Sequence, residues 1–188
     1  MSRWPSDSRV RLMQSALDLF VEHGYDQTTV ADIAARAGLT ERTFFRHFAD
    51  KREVLFHGGQ LLEDGIVEAL AGVPPEVAPL AAVATAVSAV APFFDGRKER
   101  SRMRQRVIDS HPELQEREVS KMARLSLVLA AGLRARDVGD TAARLAADAG
   151  VAVFRAAFVL WLAGEGEDMG ALIGECFDEL VKVVEAGR

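Results

Sequence analysis

Nowhere in this chain do apolar and polar residues alternate with a period of two between turn signals, so no strand is predicted and helices must bury the apolar side chains. Val10, Met13, Leu17 and Phe20 recur at helical spacing and predict a first helix over about Ser8–His23, stopped by Gly24. Thr29 followed by Asp32 is a capping-box pattern that opens a second helix, with Val30, Ile33, Ala34 and Ala37 on its buried face. Gly38 ends that helix because a tight interhelical turn needs a residue that tolerates positive φ. Thr40 caps a third helix, and Leu39 and Phe44 have the spacing of a hydrophobic staple. Phe44, Phe45 and Phe48 are assigned to one broad sector that clamps this short helix to its neighbours. Arg42, Thr43, Arg46 and His47 take the rest of its circumference. A fourth helix is predicted from Asp50, with Glu53 completing a second capping pair and Lys51 in the first turn, and it stops before Pro74-Pro75.

Two short helices joined by "AGLT" and packed on a longer one make a helix-turn-helix, whose second member enters the major groove of DNA. Arginine pairs with guanine O6 and N7, and threonine meets a base edge or a thymine methyl. A structural hairpin with a solvated Arg/His face is the alternative reading of this geometry. A net charge of −5 argues against nucleic acid when taken alone. Residues 1–55 hold eight Lys/Arg and eight Asp/Glu, however, so the deficit lies in the remainder and the N-terminal part is free to carry a local cationic face.

The run "ALDLFVEHGYDQTTVADIAARAGLTERTFFRHFADKREVL" closely resembles the DNA-binding domain of the tetracycline-repressor (TetR/AcrR) family over residues 9–55. The resemblance implies an all-α, homodimeric repressor whose C-terminal domain binds a small inducer. It implies that Thr29 and Thr40 cap helices and touch phosphates. Glu41, Arg42, Thr43, Arg46 and His47 would lie on the recognition helix, and Lys51 would match a common phosphate contact. Phe45 departs from the family's frequent Tyr, so it is assigned packing and at most van der Waals contact with DNA. Arg3, Arg9 and Arg11 are candidates for an N-terminal arm on phosphates or a minor groove, with a solvated tail the equal alternative.

The expected organisation is a DNA-binding domain at 1–52 and an effector-binding and dimerisation domain at 53–188, with about nine helices in all. After the fourth, helices are predicted near 76–94, 98–109, 112–136, 140–163 and 169–186, separated by Asp95-Gly96, Pro112, Gly139 and "GEGED". Two apolar seams, Val151, Phe154, Phe158 and Trp161, then Ile173, Phe177, Leu180 and Val184, recur at helical spacing. By the resemblance, the last two helices form a four-helix dimer interface, with Val151, Phe154, Trp161, Ile173, Phe177, Leu180 and Val184 in it. A monomer core is the plain alternative. Phe93, Phe94, Met103, Val107, Met122, Leu125 and Phe158 are candidates for lining a ligand pocket, since Met adapts to irregular apolar ligands.

"GRKERSRMRQR" is read as a solvated helix face, with an arginine such as Arg104 turned to an acidic ligand as the sharper reading. "SHPELQERE" loosely resembles effector domains described as binding acyl-CoA-like ligands. Cys176 is expected to be an inert, buried thiol, and the scattered His residues give no metal spacing. The N-terminus has no apolar signal-like run, and the segment around "VAVFRAAFVLWLAG", interrupted by Arg155, is judged too short to cross a bilayer, so a cytoplasmic protein without membrane contact is expected. No cofactor or catalytic constellation is expected. The leading function is a ligand-responsive repressor on an operator duplex. A DNA-binding regulator without a small-molecule switch, and a helical carrier or enzyme, are the alternatives.

Overall fold

The computed structural model describes residues 7–187, and among them every regular element is helical, as predicted. The helices are α1 (Asp7–His23), α2 (Val30–Arg36), α3 (Glu41–His47), α4 (Glu53–Gly72), α5 (Pro79–Ser88), α6 (Lys98–Asp109), α7 (Pro112–Arg134), α8 (Asp140–Ala163) and α9 (Met169–Ala186). A 3-10 turn at Ala91–Phe94 follows α5. The helix expected over 76–94 is therefore broken. Pro92 supplies no amide hydrogen and disfavours α geometry in the residue before it. Asp50 does accept the Glu53 amide at 3.0 Å, but Lys51 and Arg52 lie in a turn ahead of α4 rather than in its first turn.

The chain forms two compact units, and the division differs from the contiguous domains expected at 1–52 and 53–188. Of the described residues, one unit takes 7–59 together with Arg100–Arg117; the other takes Gln60–Glu99 with 118–187. Each unit has its own core. In the first, Leu12, Ala16, Phe20, Ile33, Phe44 and Phe56 are packed with Ile108 and Leu114, the last two fully buried. Sequence reading could not join segments so far apart, because the Arg-rich stretch looked like a solvated face. It is instead occupied. The Arg104 Nε–H donates to the Leu55 carbonyl at 2.7 Å, and Arg117 is ion-paired with Glu53. Both guanidinium groups lie over the Phe56 ring, 5.1 and 6.0 Å from its centroid. Arg100 is ion-paired with Asp18 at 3.5 Å.

In the second unit α5 packs on α8 through small residues. Ala82, Val83, Ala86 and Val87 are buried against a face containing Ala143, Ala146, Ala147 and Gly150. Further along α8, Phe154 and Trp161 join Phe94, with ring centroids 6.0 and 5.3 Å from it. Arg136, after α7, donates to the carbonyls of Val73 at 2.5 Å and Pro74 at 2.7 Å, satisfying groups just beyond the end of α4. The expectation that the α8 segment is too short for a bilayer is corrected. At 24 residues, about 36 Å, α8 is long and apolar enough to cross one by length and composition. Its Ala143, Ala147, Val153, Ala157 and Trp161 side chains are nevertheless buried in the unit's own core.

A Cβ added to Gly150 would approach Val83 Cγ1 to 2.2 Å, whereas one added to Gly59 in α4 would meet nothing within 4 Å. Gly150→Ala is expected to destabilise the protein by about 1–3 kcal/mol through overpacking. Gly59→Ala should stabilise it by about 0.5–1 kcal/mol through backbone entropy. Thermal unfolding followed by circular dichroism reads both, with the two midpoints moving in opposite directions.

Candidate nucleic-acid interface

The site begins with how α2 and α3 are held at a fixed turn. Thr29 caps α2 reciprocally: its hydroxyl accepts the Asp32 amide at 3.1 Å while the Asp32 carboxylate accepts the Thr29 amide at 2.9 Å. Hydrogen bonds from the Thr29 hydroxyl and backbone hold the Asp32 carboxyl below its ordinary range. At the other end, the Leu39 amide donates to Ala34 O at 2.8 Å and the Gly38 amide to Ala35 O at 3.0 Å, the double bond of a Schellman motif. Gly38 has φ 64°, which its lack of a Cβ allows. The Arg11 guanidinium of α1 donates to the Ala37 carbonyl and, at 3.4 Å, to that of Gly38. The Thr40 hydroxyl then caps α3 by accepting the Thr43 amide at 3.2 Å.

On α3, Phe44 is fully buried and Phe48, the C-cap, nearly so. Phe45 is 55% exposed, which corrects its assignment to the clamping sector. Successive helical residues point about 100° apart, so Phe44 and Phe45 cannot face one core. Glu41, Arg42, Phe45 and Arg46 form the outward face, with Thr43 and His47 half-buried at its edges. Arg42 and Arg46 have no hydrogen-bond or ion-pair partner among the described residues. An arginine pair with fixed helical spacing, flanking an exposed aromatic ring, is chemically able to grip base edges and phosphates while making apolar contact with a thymine methyl.

His47 Nε2 lies 3.0 Å from the Ser8 hydroxyl of α1. Burial, then the nearby charges of Arg9 and Arg46, push its imidazole below the ordinary value and keep it neutral at pH 7. Lys51 requires a correction. Its ammonium donates to the carbonyls of Tyr25 at 2.7 Å and Thr28 at 3.0 Å and sits 4.1 Å from the Tyr25 ring centroid. It ties the start of α4 to the α1–α2 loop. Tyr25, packed between Phe20 and His111, has its phenol pushed up chiefly by burial, then by Glu113. Arg9 and Arg11 likewise do not form a free arm: Arg9 Nη1 lies 3.2 Å from His57 Nε2, and Arg11 holds the α2–α3 turn. Arg3 falls outside the described residues.

Residues 12–57 match the model for bacterial regulatory proteins of the tetR family, and residues 77–185 match that for the MftR C-terminal domain. The chain is 30% identical to MftR of Mycobacterium tuberculosis (strain ATCC 25618 / H37Rv), a protein named for regulation of mycofactocin biosynthesis. That alignment covers 97% of this chain and 96% of MftR. The chain belongs to the TetR family. It is thus a helix-turn-helix transcriptional regulator of a family that binds DNA operators, and not an enzyme. It is also 40% identical to the transcriptional regulator TcmR of Streptomyces glaucescens over 83 residues, 44% of this chain and 37% of TcmR. Among solved structures, FadR of Bacillus halodurans shares the fold with TM-score 0.60 and 16% identity over 95% of each chain. FadR of Bacillus subtilis, solved with stearoyl-CoA, gives 0.57 and 20%, covering 92% of this chain and 97% of that one.

In this TetR-family chain the other predicted site residues scatter. Met103, Arg104 and Val107 belong to the first unit, where Val107 is buried and Arg104 fastens α4. Phe94 and Leu125 are buried in the core of the second unit, while Phe93, Met122 and Phe158 are half-buried beside it. Val151, Phe154, Trp161, Ile173 and Phe177 are also buried within a single chain, so they are core rather than a face open to another copy. Val184 is exposed and Leu180 half-buried. Sequence reading missed Leu145, Val159 and Val181, which are exposed at 65%, 64% and 43%. The signal was available: between Ala149 and Ala163 the one charged residue of α8 is Arg155, and so apolar a segment carries more than one buried face requires. An open depression of about 260 Å³ lies between α7 and α8, lined by Leu127, Ala130, Arg144 and Asp148 among others. Cys176 is half-buried, its thiol pushed up by burial.

Lys51→Met should lower the unfolding midpoint, since two carbonyls lose their donor. His47 gives a pH test. Its folded pKa lies below the unfolded value of about 6.5, so the unfolded state takes up the proton first and stability falls as pH drops below about 6.5. Urea unfolding between pH 7.5 and 5 should show that loss, and His47→Gln should shrink it.

Proposed function

We propose that the chain is a homodimeric repressor that binds a pseudopalindromic operator through Arg42, Arg46 and Phe45, and that a small hydrophobic or acyl-type inducer releases it. The observation that carries the DNA role is a pair of exposed arginines, unpartnered among the described residues, on a helix whose entry, exit and buried face are all fixed. Glu41 and Thr43 flank them, and the capping hydroxyls of Thr29 and Thr40 lie at helix N-termini suited to phosphate oxygens. Lys51, occupied by two carbonyls, is given a positioning role rather than a phosphate contact.

Dimerisation has two supports. Two recognition helices about one duplex turn apart read a pseudopalindrome, which one copy cannot do. The second apolar face of α8, with Leu145, Ala152 and Val159 exposed, together with Val181 and Val184 of α9, needs cover. The inducer would lie in the second unit, beside Phe93, Met122 and Phe158. FadR of Bacillus subtilis, of the same fold, is solved with stearoyl-CoA, and a long acyl chain suits aromatic and Met side chains. Helices α4, α6 and α7 each run from one unit into the other, so a ligand that prefers a different setting of these helices shifts the population away from DNA-competent dimers. Such a regulator works in the cytoplasm, where the chromosome is.

Selection of bound fragments from genomic DNA, followed by titration of the retained duplex, tests the reading. Arg42→Ala and Arg46→Ala should each cost about 1–3 kcal/mol on the operator and relax base preference where that side chain reads a guanine. Variants equal to wild type on operator and random DNA alike would overturn the assignment. Acyl-CoAs that raise the unfolding midpoint and weaken operator binding are the expected inducers.

A further inference from the structure

Helix α8 carries a single charge between Ala149 and Ala163, and that charge is Arg155. Arg155 is exposed, has no hydrogen-bond or ion-pair partner among the described residues, and borders the outward stripe of Ala152, Ala156 and Val159. On α9 the matching outward residues are Gly174 and Val181, both exposed; a Cβ at Gly174 would meet nothing within 4 Å, leaving room for close approach of another helix. Asp178 borders this second stripe, at about 40–60° from each of the two residues on a helical wheel. It too is exposed and unpartnered among the described residues. Glu175 sits farther round the helix from the stripe.

The heights of the two charges agree. Arg155 lies nine residues before Gly164, the C-cap of α8, and Asp178 ten residues after Asp168, the N-cap of α9. In an antiparallel hairpin they are level, yet they project from different helices and leave each other unpaired. A twofold axis along the helices keeps that level and brings α9 of a second copy alongside α8. We propose that Arg155 pairs across the dimer with the partner's Asp178, twice by symmetry, and that this pair restricts dimerisation to copies of this chain. The proposal rests on the homodimer reading above.

The physical reason is the sign of an unmade pair. An arginine enclosed among Ala and Val without an acid is costly, so a partner with an equally apolar helix but no carboxylate at this height is rejected. The apolar stripes supply attraction that many helices would satisfy; the charge pair makes the choice.

The test uses full-length wild type, Arg155→Asp and Asp178→Arg, with dimer dissociation measured by sedimentation and native mass spectrometry. In each reversed homodimer like charges meet twice, and dimer affinity should fall by at least about tenfold. Mixing the two variants restores both pairs, so the heterodimer should form in large excess over either homodimer at an affinity near wild type. Circular dichroism checks that each variant is helical. Should one fail to fold, Arg155→Gln and Asp178→Asn keep the size, and a double-mutant cycle without coupling between them overturns the pair. A dimeric wild type whose reversals dimerise equally well, or whose mixture shows no heterodimer preference, overturns the pairing alone. A wild type that is monomeric at all concentrations overturns the homodimer reading and this pairing with it.

Discussion

A helix of seven residues has no stability of its own in water, because so short a segment cannot recover the cost of nucleation. Everything this protein does at DNA therefore depends on burying Phe44 and Phe48 beneath α3. That burial sets the rotation of the helix about its axis, and rotation alone decides that Arg42, Phe45 and Arg46 point outward together. The caps then fix where the helix starts. A Schellman turn held by Arg11, and a threonine that closes the first amide, leave α3 little freedom to slide. Side chains so held lose less entropy when they meet a base, which is why a small element serves recognition.

The same economy explains why the DNA-binding unit takes in Arg100–Arg117, a segment remote in sequence. One longer and two short helices enclose too little apolar surface for a stable core. Ile108 and Leu114 complete it, and Arg104 and Arg117 bracket the first turn of α4 around Phe56. The cationic stretch spends its charge on internal carbonyls and carboxylates. A change in where α6 meets α7 must then be felt by the DNA-binding unit, since the end of one helix and the beginning of the other are parts of its core.

Local signals were legible in the sequence, and long-range ones were not. The Thr29/Asp32 box, the Gly24 and Gly38 stops and the Thr40 cap are encoded within four residues of where they act, and the helix ends fall close to the expected positions. Lys51 and Arg11 illustrate the limit. Nothing in a lysine's neighbours along the chain says that its ammonium will meet Tyr25 O and Thr28 O, 26 and 23 residues earlier. The apolar seams of α8 and α9 were correctly periodic, but period does not reveal which of two apolar faces turns inward. Val151 and Phe154 went to the core; Leu145 and Val159 stayed outside.

The charge distribution bears on the proposed use of two copies. With Arg11 and Lys51 committed to carbonyls and Arg9 beside His57, the cations left to meet phosphates around α3 are few, and the chain as a whole is acidic. Affinity for DNA carried by counterion release scales with the number of phosphates neutralised, so a single copy binds weakly and with little dependence on salt. Joining two such units raises the effective concentration of the second at its half-site without any new contact. The proposed homodimer would gain its affinity from the spacing of two heads rather than from the strength of either. In the proposed function, a ligand has only to change that spacing, by a small shift in helices shared between units, to release the protein from its site.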